Sequence, residues 1–211
     1  MNIDTRADLI ELASAVLLGP ALCIIPARAN SQRLPGKNIR PLFGKPVIAY
    51  SIELAIVSKM FSDVIVSTDA DEIEEIAIHY GANTWRRPLD DGTRGTQEVA
   101  AEVLRKIPPA SVACVLYPVA PLLTIGDLRD GLTYLRRNKG LFAFAVGTDP
   151  LRDAGAMYWG FADAFRAGKP LINPRSIMIP LPENRVCDVN TQSDWDELER
   201  KFAKLYGLEV L

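Results

Sequence analysis

The sequence is poor in several residue types that carry chemistry in other proteins. Among 211 residues there is one histidine, His79, in the stretch DEIEEIAIHY. With no second histidine for a metal pair or a Ser-His arrangement, it reads as a helix-surface residue. The three cysteines, Cys23, Cys114 and Cys187, lie far apart and form no CxxC pair. Each sits in an apolar run of strand character, so they read as reduced core residues of a cytoplasmic protein. An excess of either charge is also missing: 24 basic residues against 26 acidic ones leave a net charge of -2. The chain therefore has no global attraction for nucleic acid or an anionic membrane, and any anion site must be local.

Long apolar runs are absent as well. The N-terminal MNIDTRADLIELASAVLLGP has no basic start, and its uninterrupted apolar part after Glu11 falls far short of the roughly 20 residues needed to cross a bilayer. We read residues 1–20 as an amphipathic helical extension with Asp4 or Thr5 as N-cap. The remaining 21–211, in a chain that is 48% hydrophobic, are enough for one domain with a full core. No membrane or nucleic-acid partner is expected.

Two common phosphate-binding loops are missing too. No GxGxxG occurs, and aligning Gly36-Lys37 to a Walker A loop puts Ser31 where the first glycine belongs and Asn38 where the hydroxyl belongs.

What the sequence does contain is an alternation. Apolar runs at 21–27, 63–69, 83–87, 112–118 and 141–147 are separated by helical patterns at 46–58, 70–80, 95–106 and near 125–138. That order predicts an α/β fold with a mostly parallel central sheet and helices on both faces. After Asp149, GAMYWGF, SIMIPL and RVCDV are short strand candidates. Thr191 as N-cap with Asp194 at N3 starts a final helix.

The run IIPARANSQRLPGKNIRPLFGKP at 24–46 leaves the first strand into Arg28, Arg33, Lys37 and Arg40 with no acid among them. Ligands in such sheets lie beyond the strands' carboxyl ends. A polar loop there can turn N–H groups around an anion while Arg28 forks onto phosphate oxygens and Lys37 adds a point charge. The residues alone leave open a second reading, a solvated basic loop without a ligand.

The wording of that loop, ARANSQRLPGKNI, resembles the signature of the CMP-sialic acid synthetase (acylneuraminate cytidylyltransferase) family. GKPVIAYSIELA, DVIVSTDADEIEEIA, RRP, GTQEVA, YPVAPLL, DAGAMYWG and RVCDVNTQSDW follow in the family's order, and the last two are most similar to the pseudaminic acid branch. The resemblance implies a Rossmann-like nucleotidyltransferase fold. It also implies a reaction in which the anomeric hydroxyl of an acidic nine-carbon sugar attacks the α-phosphorus of CTP, with Mg²⁺ as cofactor and a homodimer as the assembly.

By the same resemblance, Arg28, Ala29, Asn30, Ser31, Lys37 and Asn38 form the nucleotide loop. Ser67, Asp69 and Arg87 approach the nucleotide, Tyr117, Gly155 and Tyr158 the sugar. Asp188 and Asn190 are the metal candidates, and Arg28, Lys37 and Asp188 the catalytic set. Plainer roles stand beside these: a helix cap for Asp69 and for Asn190, ordinary core for Tyr117. Tyr158 and Trp159 alternate, so only one of them can face a ligand.

Three departures from the family pattern stand out. Gln32 replaces a lysine, Asn190 replaces the second acid of an Asp-x-Asp pair, and the segment around 147–153 is much shorter. Two outcomes follow: an active enzyme with a trimmed acceptor site, or a weakened relative acting as a nucleotide-binding scaffold.

Overall fold

A computed structural model describes residues 21–29, 31, 33–89, 94–107, 110–138, 140–148 and 151–209. The expected N-terminal helix, Asn30 and Gln32 lie outside the described residues.

Nine strands and six helices make up the described fold. Strand β1 (Ala21–Pro26) is followed by a two-residue-armed hairpin, β2 (Pro41–Leu42) and β3 (Lys45–Pro46). Then come α1 (Val47–Ser58), β4 (Phe61–Thr68), α2 (Asp71–His79), β5 (Asn83–Arg86), α3 (Thr96–Lys106) and β6 (Val112–Leu116). The second half holds α4 (Ile125–Arg137), β7 (Phe142–Thr148), β8 (Leu151–Phe161), α5 (Ala162–Arg166), β9 (Ser176–Pro180) and α6 (Gln192–Tyr206).

Seven strands form one sheet in the order β5-β4-β1-β6-β8-β7-β9. All its pairs are parallel except the two made by β8, which runs antiparallel to β6 and β7. The mostly parallel sheet expected from the alternation is therefore present. The one reversed strand is the long GAMYWGF segment.

The inner strands are apolar throughout because they are covered on both sides. Cys23 and Ile25 of β1 pack with Ile48 and Ile52 of α1 and Leu128 of α4, whereas Leu22 and Ile24 face Val103 and Leu104 of α3 and Phe165 of α5. A third cluster seats α6: Trp195, Leu198 and Phe202 pack against Leu42, Val47 and Val119. Trp195 is fully buried.

Two expectations need correction. RVCDV is not a strand: 186–190 carries no ladder, and its carbonyls are taken by lysine side chains, Lys201 Nζ on Val186 O at 2.6 Å and Lys37 Nζ on Val189 O at 2.5 Å. Cys187 consequently is only half-buried at the edge of the α6 cluster, donating to Asp194 O at 3.4 Å, while Cys23 and Cys114 are fully buried; all three thiols are free. His79 is exposed as expected, at the end of α2. No helix among the described residues is long and apolar enough to cross a membrane.

Helix α4 meets the sheet through a glycine. A Cβ on Gly131 would stand 2.4 Å from Trp159 Cδ1, whereas one on Gly126, in the same helix, meets only Thr124 Oγ1 at 3.4 Å. Gly131→Ala is expected to destabilise the fold by about 1–3 kcal/mol through overpacking, lowering Tm by roughly 2–4 °C per kcal/mol. Gly126→Ala should match or exceed the wild-type Tm, and thermal unfolding of the pair checks the contrast.

Candidate active site

Chain order along the sheet reverses between β1 and β6. From β1 the chain steps outward to β4 and β5; β6 returns on the other side of β1. Parallel strands that diverge in this way leave a crevice past their carboxyl ends. There the structure has a cavity of about 330 Å³, large enough for a small ligand. Its lining includes five cations, Arg28, Arg33, Lys37, Arg87 and Arg94, and one acid, Asp188.

The loop after β1 is built by local hydrogen bonds. Ala27 N donates to Ser67 O at 2.9 Å, extending the β1–β4 pairing past the strand end. Ala29 N donates to Asp69 Oδ1 at 2.8 Å, and Asn38 Nδ2 donates to Arg28 O at 3.0 Å. The second limb of the loop closes through Lys37 N on Leu34 O and Ile39 N on Gly36 O. Gly36 has a φ of +69°, a conformation that glycine adopts without strain. Arg87 is buried and held by its backbone, whose N–H donates to Thr68 O at 2.9 Å.

Arg28, Ser31, Lys37, Asn38, Arg87, Tyr117, Gly155 and Asp188 line the cavity together, so the segments just past β1, β5 and β6 converge with β8 and the 186–190 segment. Ala29, Ser67, Asp69, Tyr158 and Asn190 stand behind that wall. Asp69 does not cap α2: the cap there is Ala70, whose N–H donates to Thr68 Oγ1. Its carboxylate, 5% exposed, braces the cationic loop instead. Ser67 is fully buried with an unpartnered Oγ. Tyr158 is the member of its pair that points toward the cavity side, but Tyr117 covers it, the rings 5.4 Å apart. Trp159 faces the opposite way, stacked on Phe61.

Sequence reasoning passed over Arg94, Gly95, Thr96 and Val99, which also line the cavity. The signal was the GTQEVA block, which starts α3 at Gly95 and Thr96. A helix N-terminus at the cavity wall adds oriented N–H groups to the cations. Arg94 is tied to Glu102 at 3.0 Å, and Thr96 Oγ1 lies 2.8 Å from Tyr117 OH.

Lys37 is half-buried, and burial pulls its pKa below the ordinary lysine value; Asp188 opposes this, while Arg33 and Arg28 add to it. Asp194 also opposes it, so the ammonium lies among two carboxylates and two guanidiniums, with burial the largest influence. Burial raises the pKa of Tyr117 and, further, that of Tyr158, so both phenols stay protonated donors at neutral pH.

Asp188 is exposed, and Asn190 turns Nδ2 onto its Oδ2 at 2.8 Å, leaving Asn190 Oδ1 buried without a partner. A carboxylate beside an orphaned amide oxygen is an oxygen donor pair suited to a hard divalent cation. Among the described residues no three His, Cys, Asp or Glu side chains cluster in a metal-holding group. Such an ion would take its other ligands from substrate phosphates and water, which is how Mg²⁺ is usually held.

The sequence comparisons agree with this geometry. Residues 22–156 match the family described as cytidylyltransferase. The chain is 33% identical to a pseudaminic acid cytidylyltransferase from Campylobacter jejuni, covering 87% of this chain and 94% of that protein. A CMP-N,N'-diacetyllegionaminic acid synthase from Legionella pneumophila is 49% identical over 73 residues, 34% of this chain and 32% of that one. In three dimensions the fold superposes on a CMP:2-keto-3-deoxy-manno-octonic acid synthetase solved with CTP, with a TM-score of 0.71 at 18% identity, covering 89% of this chain and all of the other.

The cavity's far edge is fixed by α6. Asp194 Oδ2 accepts from Asn190 N at 2.8 Å and Thr191 N at 2.7 Å, and Thr191 Oγ1 accepts from Asp194 N at 3.2 Å. Burial opposes ionisation of Asp194, but these N–H groups outweigh it and hold the carboxyl below its ordinary 3.8. A depressed folded pKa means stability that is present above the ordinary pKa and lost as pH falls through the folded one. Asp194→Ala should cost about 1 kcal/mol near neutrality. Denaturant unfolding at several pH values should show that difference shrinking below about pH 4; a constant difference down to pH 2.5 would contradict a charged cap.

Proposed function

Because the chain belongs to the cytidylyltransferase family, we propose that it transfers CMP from CTP to an acidic nine-carbon sugar of the pseudaminic or sialic acid type, releasing pyrophosphate. The carrying observation is the convergence of five cations and one carboxylate on a cavity at the β1/β6 crevice. A triphosphate brings negative charge to a wall where five cations face one carboxylate, and in this reading its counterion sits at Asp188. The resemblance to proteins that make CMP-activated acidic sugars supports the acceptor class.

In this reading Arg28, Ser31, Lys37 and Asn38 grip the triphosphate, Arg87 faces the nucleotide, and Tyr117 with Gly155 forms the acceptor wall. Asp188 and Asn190 would hold Mg²⁺, which when bound draws off the charge that develops on departing pyrophosphate. Charge that migrates onto that leaving group is stabilised by cations already in position, without the reorganisation that water would need, so Lys37 and Arg28 act as electrostatic catalysts with no covalent step. Asp69 and Ser67 hold the loop that presents them. The reaction belongs to the cytoplasm, and a second copy of the chain completes the assembly as a homodimer.

The acceptor side is trimmed. Strands β7 and β8 form a hairpin whose last pair is Thr148 with Leu151. Since 87% of 211 residues is about 184, some 40 of the 224 aligned positions in the Campylobacter comparison face gaps in this chain. We assign part of that shortfall to this short hairpin.

Pyrophosphate release from CTP and Mg²⁺ should depend on an acidic nine-carbon sugar, and a panel of pseudaminic, sialic and ketodeoxyoctulosonic acids tests it. Lys37→Ala and Asp188→Ala should each lower turnover by about tenfold or more, since each removes a charge at the reacting phosphates. Asn190→Asp, which restores a second acid, should lower the Mg²⁺ concentration at half-maximal rate. Release that ignores every sugar, or full rates in folded Lys37→Ala protein, would sink the proposal.

A further inference from the structure

Strand β8 carries a wide bulge that the assigned roles leave unexplained. Tyr158 pairs with Phe144 and Asp153 with Val146, so β7 advances two residues while β8 advances five. On the other side the β6–β8 register runs on unbroken to Leu116 with Met157, and Tyr117 N donates to Ala156 O at 2.9 Å, so the irregularity falls on the β7 side. Bulges of this kind re-aim a side chain or backbone beside a site. Here the re-aimed residue is Gly155, with φ +57°.

Gly155 sits directly under Asp188. A Cβ there would lie 2.9 Å from both Asp188 Cγ and Oδ1, so the backbone of the bulge is the floor on which that carboxylate rests. The other end of the bulge carries Tyr158, whose ring is packed between Phe144 and Tyr117. Tyr117 in turn meets Thr96 at the start of α3. One bulge thus sets both the metal candidate and the acceptor wall.

One half-buried side chain ties the two ends together. Asp153 Oδ1 accepts from Gly155 N at 2.9 Å, and Asp153 Oδ2 accepts from Tyr158 OH at 2.5 Å. Both carboxylate oxygens are therefore used within its own strand, across the extra residues. Without that acceptor pair, the N–H of a left-handed glycine and a buried phenol would each lose a partner.

We infer that Asp153 is a positioning residue that staples the β8 bulge, seating Asp188 for its metal through Gly155 and fixing the Tyr117 acceptor wall through Tyr158. This rests on the proposed cytidylyl transfer, and it predicts that two kinetic properties fail together in one variant and separately in others. Asp153→Ala loses both limbs. Asp153→Asn keeps an oxygen for Gly155 N but no longer accepts from the phenol with a charged oxygen. Tyr158→Phe removes only the acceptor limb.

The test uses the full chain with CTP. Mn²⁺ binding is followed by the free-ion electron paramagnetic resonance signal, and the KM for pseudaminic acid is measured in parallel. Asp153→Ala should weaken Mn²⁺ binding about tenfold, as loss of an outer-sphere support does, and raise the acceptor KM about fivefold. Asp153→Asn and Tyr158→Phe should raise that KM while holding Mn²⁺ affinity within about twofold of wild type, because the Gly155 limb survives.

Folded Asp153→Ala protein with both properties unchanged would overturn the inference, as would Tyr158→Phe losing Mn²⁺ as strongly as Asp153→Ala. If Asp153→Ala fails to fold, the other two variants decide: a raised KM with retained Mn²⁺ affinity supports the staple, and any other pattern rejects it. Wild-type protein that binds no Mn²⁺ with CTP, indistinguishable from Asp188→Ala, would instead remove the underlying reading of the site.

Discussion

The ammonium of Lys37 reaches across to the carbonyl of Val189, 152 residues later in the chain. That contact joins the two parts of the site that the fold builds independently. One part is the cationic loop, produced by β1 ending at the β1/β6 crevice. The other is the 186–190 segment, which passes over the sheet without pairing and delivers Asp188. A lysine held this way lies near Asp188, Asp194 and two arginines, and burial disfavours its charged form. An anionic ligand with its own divalent counterion offsets that penalty, so the charge arrangement and the proposed substrate explain each other.

The supporting structure serves the same end. Asp69 fixes the loop at Ala29, Asn38 fixes it at Arg28, and the α6 capping box takes the N–H groups of Asn190 and Thr191. These polar contacts are local and directional, whereas the core beneath them is held by apolar burial on both sheet faces. Packing supplies rigidity at the strand ends, and hydrogen bonds set the last few ångströms.

Much of this was legible in the sequence, for physical reasons. Buried parallel strands must be apolar on both faces, so the runs at 21–27, 63–69 and 112–118 announced strands that the structure places at 21–26, 61–68 and 112–116, and Thr191 with Asp194 marked the last helix through cap chemistry. RVCDV misled because an apolar alternation can also line a loop that packs on a helix, as Val186 and Val189 do here. Arg94 and Thr96 were missed because a helix start gives no charge pattern of its own until its position at the crevice is known. The bulge in β8 was invisible for a different cause: neither glycine of DAGAMYWG marks it in the sequence, and only pairing with both neighbours shows that three residues have no opposite number on β7. The role of Asp69 needed coordinates too, since a carboxylate after a strand suits a cap and a loop brace equally well.

The central claim is that one cavity holds a triphosphate against the Arg28–Lys37 loop and a divalent ion against Asp188. A crystal structure with CTP and Mn²⁺, using anomalous scattering to locate the metal, tests it most directly. Phosphate oxygens should lie on Arg28 and Lys37, with an anomalous peak at about 2.1 Å from an Asp188 carboxylate oxygen, the distance of a small hard cation. A nucleotide bound away from that loop, or a metal peak carried by other residues, would contradict it.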